Sequence, residues 1–448
     1  MEIEIPLGLG EAALSYDFEK AVCSHGLFMM SPNHWDPVSC TFSRPLRLPH
    51  HYSSSPNLSP SALWVTISHP SHLRHSLLVR VHATLPLSTH HRQSLVAQVV
   101  RMIRLSDADD RNATRFITTF ADDSLHDVIR AFGGRVFRSP TLFEDMVKCI
   151  LLCNCQWPRA LQMARALCEL QLELQSHPHL SDEEPSVSKK PHSPLQTEDI
   201  NMIPYTPPAN EPRNRKRQIS QSSPTHLPGN GHNTNMGHMG SFSLNGNEDA
   251  PCGLVSHRKE EFRTLESIGN FPSPEELAGL DEKFLAKRCK LGYRASRIIQ
   301  LAKGIVEGRI PLRELEQFDN GGSLSDYDKL ADRLKKINGI GPFSCANILM
   351  CMGFYHVIPA DSETIRHLKQ VHAKESTIRT LEKDVEKVYG KYAPFQFLAY
   401  WAELWHYYGQ RFGKPSKIHF SDYKLITASN MRKKNKVTKE VAEAIGER

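Results

Sequence analysis

Between residues 62 and 83 apolar and polar positions alternate. Leu63, Val65 and Ile67 alternate with Trp64, Thr66 and Ser68, and Val79, Val81 and Ala83 alternate with Leu78, Arg80 and His82. A period of two sends successive side chains to opposite faces, so residues 38–85 predict an antiparallel sheet with one buried face. From residue 92 the spacing becomes helical. Ser139-Pro140-Thr141 followed by Phe143, Met146, Val147, Ile150 and Leu151 predicts a well-started amphipathic helix. Trp157-Pro158 starts its successor, where Ala160, Met163, Ala164, Leu167 and Cys168 keep the same spacing, so the two helices bracket the polar connector Asn154-Cys155-Gln156. Downstream, Ser273-Pro274-Glu275-Glu276 combines a capping serine, a proline at the first position and a glutamate at the third. Helices are expected through Arg297 to Val306, Tyr327 to Ile337, Pro342 to Met352, Ser362 to Val371 and Phe395 to Tyr408.

Between these helical parts the pattern vanishes. Residues 176–260 hold eleven of the 29 prolines and two aromatics, Tyr205 and Phe242, which predicts a disordered insertion without a core of its own. Its cluster Arg213-Asn214-Arg215-Lys216-Arg217 reads either as a nuclear-import or phosphate-binding element or as a solvated charge run. A second patch, Arg432-Lys433-Lys434-Asn435-Lys436, predicts a basic tail over 413–448. The net charge of +6 permits a polyanionic partner without requiring one. The ten cysteines are scattered and form no ligand quartet, so a chain of reduced thiols with no metal site and no iron–sulfur cluster is expected. The first residues, Met1 to Pro6, do not read as a secretory signal, and 18 apolar residues nowhere run together, so neither secretion nor a membrane partner is expected.

The chemistry concentrates in two places. In Leu334 to Ala346 one helix ends and another begins across Gly339-Ile340-Gly341, with Pro342 suited to the first helical position. Glycines admit φ > 0 and bare the backbone, and the new helix N-terminus directs N–H groups outward, which suits a phosphate. Lys335 and Lys336 add charge beside it. Taken alone, this is also the make-up of an ordinary αα-corner. Twenty residues later Val357 to Ile365 delivers Asp361 to a helix start. Aspartate is a preferred N-cap, and a carboxylate held ionised at a helix terminus can also stabilise oxocarbenium-like charge or orient water, so both roles coexist.

Hairpin and aspartate together resemble the helix-hairpin-helix (HhH-GPD) DNA glycosylase superfamily, whose motif is a glycine hairpin followed by a Pro-x-Asp segment, here Pro359-Ala360-Asp361. Phe271-Pro272-Ser273-Pro274 with Leu291 to Ala295, the helix pair from Gly134 to Leu167, and Tyr392 to Trp405 are similar to the 8-oxoguanine DNA glycosylases. The sheet-first start is shared with 3-methyladenine glycosylase II. The resemblance covers residues 16–175 and 261–412.

It implies an α+β fold: an N-terminal antiparallel sheet domain over 16–110, an all-helical glycosylase domain over 111–175 and 261–412, and the 176–260 insertion between its parts. It implies excision of a damaged base, an oxidised or alkylated purine, from double-stranded DNA by a nuclear, monomeric base-excision-repair enzyme. By position Asp361 resembles the catalytic aspartate, and Gly339, Ile340 and Gly341 the phosphate-holding hairpin, often with an alkali ion at its carbonyls and with no other cofactor. Asn154 falls where the family fills the gap left by a flipped nucleotide, a turn residue being the other reading of that position.

Two departures matter. Phe343 stands where bifunctional members carry a lysine nucleophile, and Lys335 and Lys336 lie on the wrong side of the turn to replace it, so base release without strand cleavage is expected. Phe397 stands where the 8-oxoguanine enzymes read the lesion with a glutamine, and Gln396 precedes it by one residue. Phe343, Phe397 and Trp401 then form either an aromatic pocket for an oxidised or a cationic purine or plain core. The competing expectation is an inactive helix-hairpin-helix protein that binds damaged or distorted DNA.

Overall fold

A computed structural model of the chain describes residues 1–7, 16–48, 62–83, 86–176, 268–318 and 322–431. Apart from Ser176, the expected insertion lies outside them, as do both basic clusters. Five strands, β1 (Glu2–Pro6), β2 (His34–Asp36), β3 (Thr41–Arg47), β4 (Ala62–Ser68) and β5 (Ser76–His82), form one antiparallel sheet in the order β1-β5-β4-β3-β2. The alternation read from sequence is the one that packs: Leu63, Val65, Ile67, Val79 and Val81 are buried, and the register sets Val65 opposite Val81 and Ile67 opposite Val79. The sheet begins earlier than residue 16, because β1 pairs along the free edge of β5.

The helices are α1 (Phe18–Val22), α2 (Thr89–Met102), α3 (Asp107–Thr119), α4 (His126–Phe132), α5 (Leu142–Leu152) and α6 (Trp157–Ser176), then α7 (Pro274–Ala278), α8 (Glu282–Arg288), α9 (Arg294–Val306), α10 (Leu312–Glu316) and α11 (Leu324–Lys335), and finally α12 (Pro342–Cys351), α13 (Ser362–His372), α14 (Leu381–Tyr389), α15 (Gln396–Phe412) and α16 (Ala428–Met431). At the start of α7 the capping box is formed in full by Ser273 and Glu276. No helix among the described residues is long and apolar enough to cross a membrane.

Helix α5 departs from expectation. It is buried all round from Leu142 to Leu151, polar residues included, rather than amphipathic. Its charges survive burial because they are paired. Arg44 of β3 donates to both carboxylate oxygens of Glu144 at 3.1 and 2.8 Å, Lys148 lies 2.7 Å from the same group, and Arg101 pairs with Asp145 at 2.9 Å. Arg44 and Lys148 hold the Glu144 carboxyl at about 2 in spite of its burial. The Arg44–Glu144 pair joins the sheet to the helices, whose buried residues form one core with those of the sheet.

The start of the expected tail is also a correction. Residues 413–431 fold back on the body: Trp35 Nε1 donates to Ser416 O at 2.8 Å, Trp157 Nε1 to Tyr423 O at 2.8 Å, and Tyr423 packs edge-on against Phe28. Charge is a poor guide in this stretch, where Tyr423, Ile426 and Met431 are buried although it also carries Lys414, Lys417 and Lys424.

Candidate active site

After α11 the chain turns tightly. Ile337 N–H donates to Leu334 O at 3.0 Å and Ile340 N–H to Ile337 O at 3.1 Å, and the buried Ile340 side chain anchors the turn. Gly339 has φ +92°, and a Cβ there would meet the side chain of Arg297 at 2.7 Å, so both conformation and space call for glycine. Gly341 caps α12 with Pro342 at the first position and without any side-chain hydrogen bond, so no side chain caps the start of the helix.

A groove of about 730 Å³ runs past this hairpin, lined by Lys335, Lys336, Gly339, Ile340, Gly341 and Arg297 on one side and by Leu152 to Cys155 on the other. Asn154 is exposed in it, in the left-handed region at φ +45° that asparagine tolerates. The buried Arg294 fixes this tip by donating to Cys153 O and, at 3.1 Å, to Asn154 O.

Asp361 and Phe343 line the groove and also a deeper cavity of about 610 Å³. Asp361 is the N-cap of α13, so the capping role anticipated for it is real. Its Oδ1 accepts from Thr364 N–H at 2.8 Å and lies 2.9 Å from Thr364 Oγ1, which in turn lies 3.1 Å from the buried Tyr400 hydroxyl. Burial pushes the Asp361 carboxyl above its ordinary value, and the two bonds from Thr364 oppose this without overcoming it. The helix terminus expected to hold the group low is therefore outweighed, which makes the carboxylate a stronger base.

Phe343, Phe397 and Trp401 all face this cavity. Sequence reasoning missed their companions. Phe397, Trp401, Trp405 and Tyr408 stack in sequence along α15 with ring centroids 5.8, 5.5 and 6.2 Å apart. The signal was present as aromatic residues at spacings of four, four and three. Trp401 Nε1 donates to Ser24 O at 2.8 Å and Trp405 Nε1 to Cys23 O at 3.0 Å, which sets the orientation of both rings. His25 packs 4.3 Å from Trp401. Burial, with Arg104 assisting, pushes its imidazole down to about 3, so the ring is neutral. Glu363 brings an acidic group to the wall, held by Arg366 Nε at 2.9 Å and by the Tyr408 hydroxyl at 2.7 Å. The far wall is the folded-back segment, through Lys424, Ile426, Thr427 and Asn430.

Gln396 does not line the cavity, and its buried Oε1 has no hydrogen-bond partner, so it does not take the place of a lesion-reading glutamine there. The nine described cysteines are free. One group among the described residues has the donors to hold a metal ion, His367 with His372 and Glu403, and none of the three lines the groove or the cavity.

No family model matches the chain. Among curated proteins it is similar to DNA-3-methyladenine glycosylase 1 of Schizosaccharomyces pombe, 31% identical over 111 residues that make up 24% of this chain and 44% of that protein. The chain thus matches under half the length of this relative. Among solved structures it is similar to MBOgg1 in complex with a low-affinity DNA ligand, with TM-score 0.51 and 15% identity over 92% of this chain and 96% of that one. It is similar also to the 3-methyladenine DNA-glycosylase from Archaeoglobus fulgidus, with TM-score 0.50 and 14% identity over 89% of this chain and 98% of that one. The chain accordingly has the fold of the MBOgg1 and 3-methyladenine DNA-glycosylase structures.

Proposed function

We propose that this protein is a DNA glycosylase of base-excision repair, acting as a monomer on double-stranded DNA in the nucleus. It flips a damaged purine, oxidised or alkylated, out of the stack and hydrolyses its N-glycosidic bond. The observation that carries the proposal is the position of Asp361, at the junction between a groove suited to a sugar–phosphate backbone and an aromatic cavity suited to a base.

In this reading the uncapped start of α12 at Gly341 holds a phosphate, with Lys335, Lys336 and Arg297 neutralising its neighbours. Asn154, presented on a tip tied down by Arg294, occupies the gap in the duplex. The extruded base stacks among Phe343, Phe397 and Trp401, and the aromatic faces with the nearby Glu363 favour an electron-poor purine. As the bond from the base nitrogen to C1′ lengthens, its electron pair leaves with the base, and positive charge on the sugar is stabilised by the Asp361 carboxylate. Water then adds to C1′, Asp361 takes its proton, and an abasic site remains.

Phe343 has no amine to form a Schiff base, so the strand stays intact. An alkali ion at the hairpin carbonyls fits the turn, since Ile337 O keeps a second lone pair beside the one facing Ile340 N–H, and no other cofactor is required.

The test incubates purified protein with duplexes bearing 8-oxoguanine, alkylated purines, hypoxanthine or uracil, half of each reaction then being treated with alkali. Strand breaks only after alkali are expected, with an oxidised or alkylated purine. Tight binding of damaged duplex without base release would favour the non-enzymatic alternative, a binding protein built on the same hairpin.

A further inference from the structure

Behind the wall that carries Asp361, four polar atoms from three helices converge at one point. His367 Nε2 and His372 Nε2, both on α13, each lie 2.7 Å from Glu403 Oε2 of α15, and the Tyr389 hydroxyl at the end of α14 lies 2.6 Å from the same oxygen. The Tyr389 oxygen is also 3.1 Å from each imidazole nitrogen. We infer that His367, His372 and Glu403, with Tyr389 beside them, form a structural site for a divalent transition metal, zinc in the first place, that staples α13, α14 and α15 together.

The donor set selects the ion. Two imidazole nitrogens and a carboxylate oxygen suit zinc, cobalt or nickel, whereas calcium and magnesium favour oxygen ligands. The ligand atoms of His367, His372 and Glu403 lie within 4.8 Å of one another. Zinc–nitrogen bonds of about 2.0–2.1 Å place tetrahedral ligand atoms about 3.3 Å apart, so the contacts at 2.6–3.1 Å need to open by roughly half an ångström to admit the ion.

Charge favours occupancy as well. Glu403 is buried, with His367, His372 and Tyr389 gathered on one of its carboxylate oxygens. The nearest arginine on the same helix, Arg366, is engaged by Glu363 at 2.9 Å. A divalent ion would supply the positive charge that the buried carboxylate lacks. One feature limits affinity: His367 Nδ1 is buried with no hydrogen-bond partner, so metal bound through Nε2 leaves an N–H there without an acceptor.

The site's place in the fold suggests its use. Asp361 caps the N-terminus of α13, and His372 ends that helix. The His367 ring packs edge-on against Tyr400 at 5.5 Å, and Tyr400 reaches Thr364, which holds Asp361. A metal here would stiffen the helix that aims Asp361 without touching DNA.

The experiment uses the full chain, stripped with a chelator and dialysed, and titrated with cobalt(II) and with zinc(II). One equivalent of either metal is expected to bind, with visible d–d bands of tetrahedral cobalt and a melting temperature that rises with zinc. His372→Asn, at a partly exposed helix end where folding is easily checked by circular dichroism, is expected to weaken binding at least tenfold, and His406→Asn, outside the cluster, to leave it unchanged. No stoichiometric metal, or cobalt bands that persist in both His372→Asn and Glu403→Gln, would overturn the inference and leave the cluster as a hydrogen-bond network. The wild-type titration decides even if a variant fails to fold. Because the readouts are metal content and spectra, the outcome is independent of whether the protein excises bases.

Discussion

The backbone N–H of Thr364 donates to Asp361 Oδ1 at 2.8 Å, so the residue proposed to act on the sugar is also the one that starts its helix. Asp361→Asn keeps a capping oxygen while removing the charge. The folded-state pKa of Asp361 is raised, so its protonation contributes stability that is fully present below the unfolded value of about 3.9 and is lost as pH rises through the folded value. Relative to wild type, Asp361→Asn is expected to melt higher at pH 7, and the gap is expected to close as pH falls towards 4. Thermal melts across that range check this, and a variant that is less stable at pH 7 than at pH 4 relative to wild type would contradict it. Base release by wild type should fall on the acid side as the carboxylate is protonated, its midpoint lying above that of an ordinary aspartate.

The two hairpin glycines should part company. Gly339→Ala places a side chain at φ +92° and against Arg297, and is expected to cost at least ~1–2 kcal/mol from backbone conformation alone as well as DNA affinity. A Cβ at Gly341 meets nothing within 4 Å and the backbone there is extended, so Gly341→Ala should leave stability within about 0.5 kcal/mol. Its methyl would nevertheless crowd a phosphate held at the uncapped helix start, so affinity should still fall. Denaturant melts paired with duplex binding separate the two effects, and equal stability losses would argue against the geometry.

Lys335 and Lys336 line the groove and are exposed. If each neutralises one phosphate, replacing either with alanine should lower the slope of log affinity against log salt by about 0.9. The loss should be similar for damaged and undamaged duplexes, because such contacts carry no sequence or lesion information. An unchanged slope would place these lysines off the DNA path.

How much of this was legible in the sequence follows from what each feature depends on. Local rules sufficed for the β4 and β5 alternation, the Ser273 capping box and the Gly339 turn, since each is decided by spacing within a few residues. Phe343, Phe397 and Trp401 were brought to one cavity by family position rather than by pattern. What stayed hidden depends on partners far along the chain. Glu144 and Lys148 made α5 look amphipathic because Arg44, a hundred residues before Glu144, was invisible as the second partner of that carboxylate. The cavity wall at Lys424 to Asn430 was hidden because it reads as tail until Trp157 is seen to bond Tyr423 O. His25 and the His367, His372 and Glu403 cluster likewise arise only when separate elements meet.

Phe343 makes a prediction about strand chemistry. The lysine among the cavity-lining residues is Lys424, from the folded-back segment, and wild-type protein is expected to form no borohydride-trapped adduct with DNA. Phe343→Lys puts an amine beside Asp361 and is expected to produce strand cleavage without alkali together with a trapped adduct. Trapping by wild type that Lys424→Ala abolishes would show that this amine replaces the missing nucleophile.

The most direct test compares single-turnover base release by wild type and Asp361→Asn on the damaged duplex that wild type processes, with binding measured on the same samples. The account predicts alkali-labile sites with wild type and a rate at least ~100-fold lower with Asp361→Asn, at duplex affinity within a few-fold of wild type. Release by Asp361→Asn at the wild-type rate would contradict it.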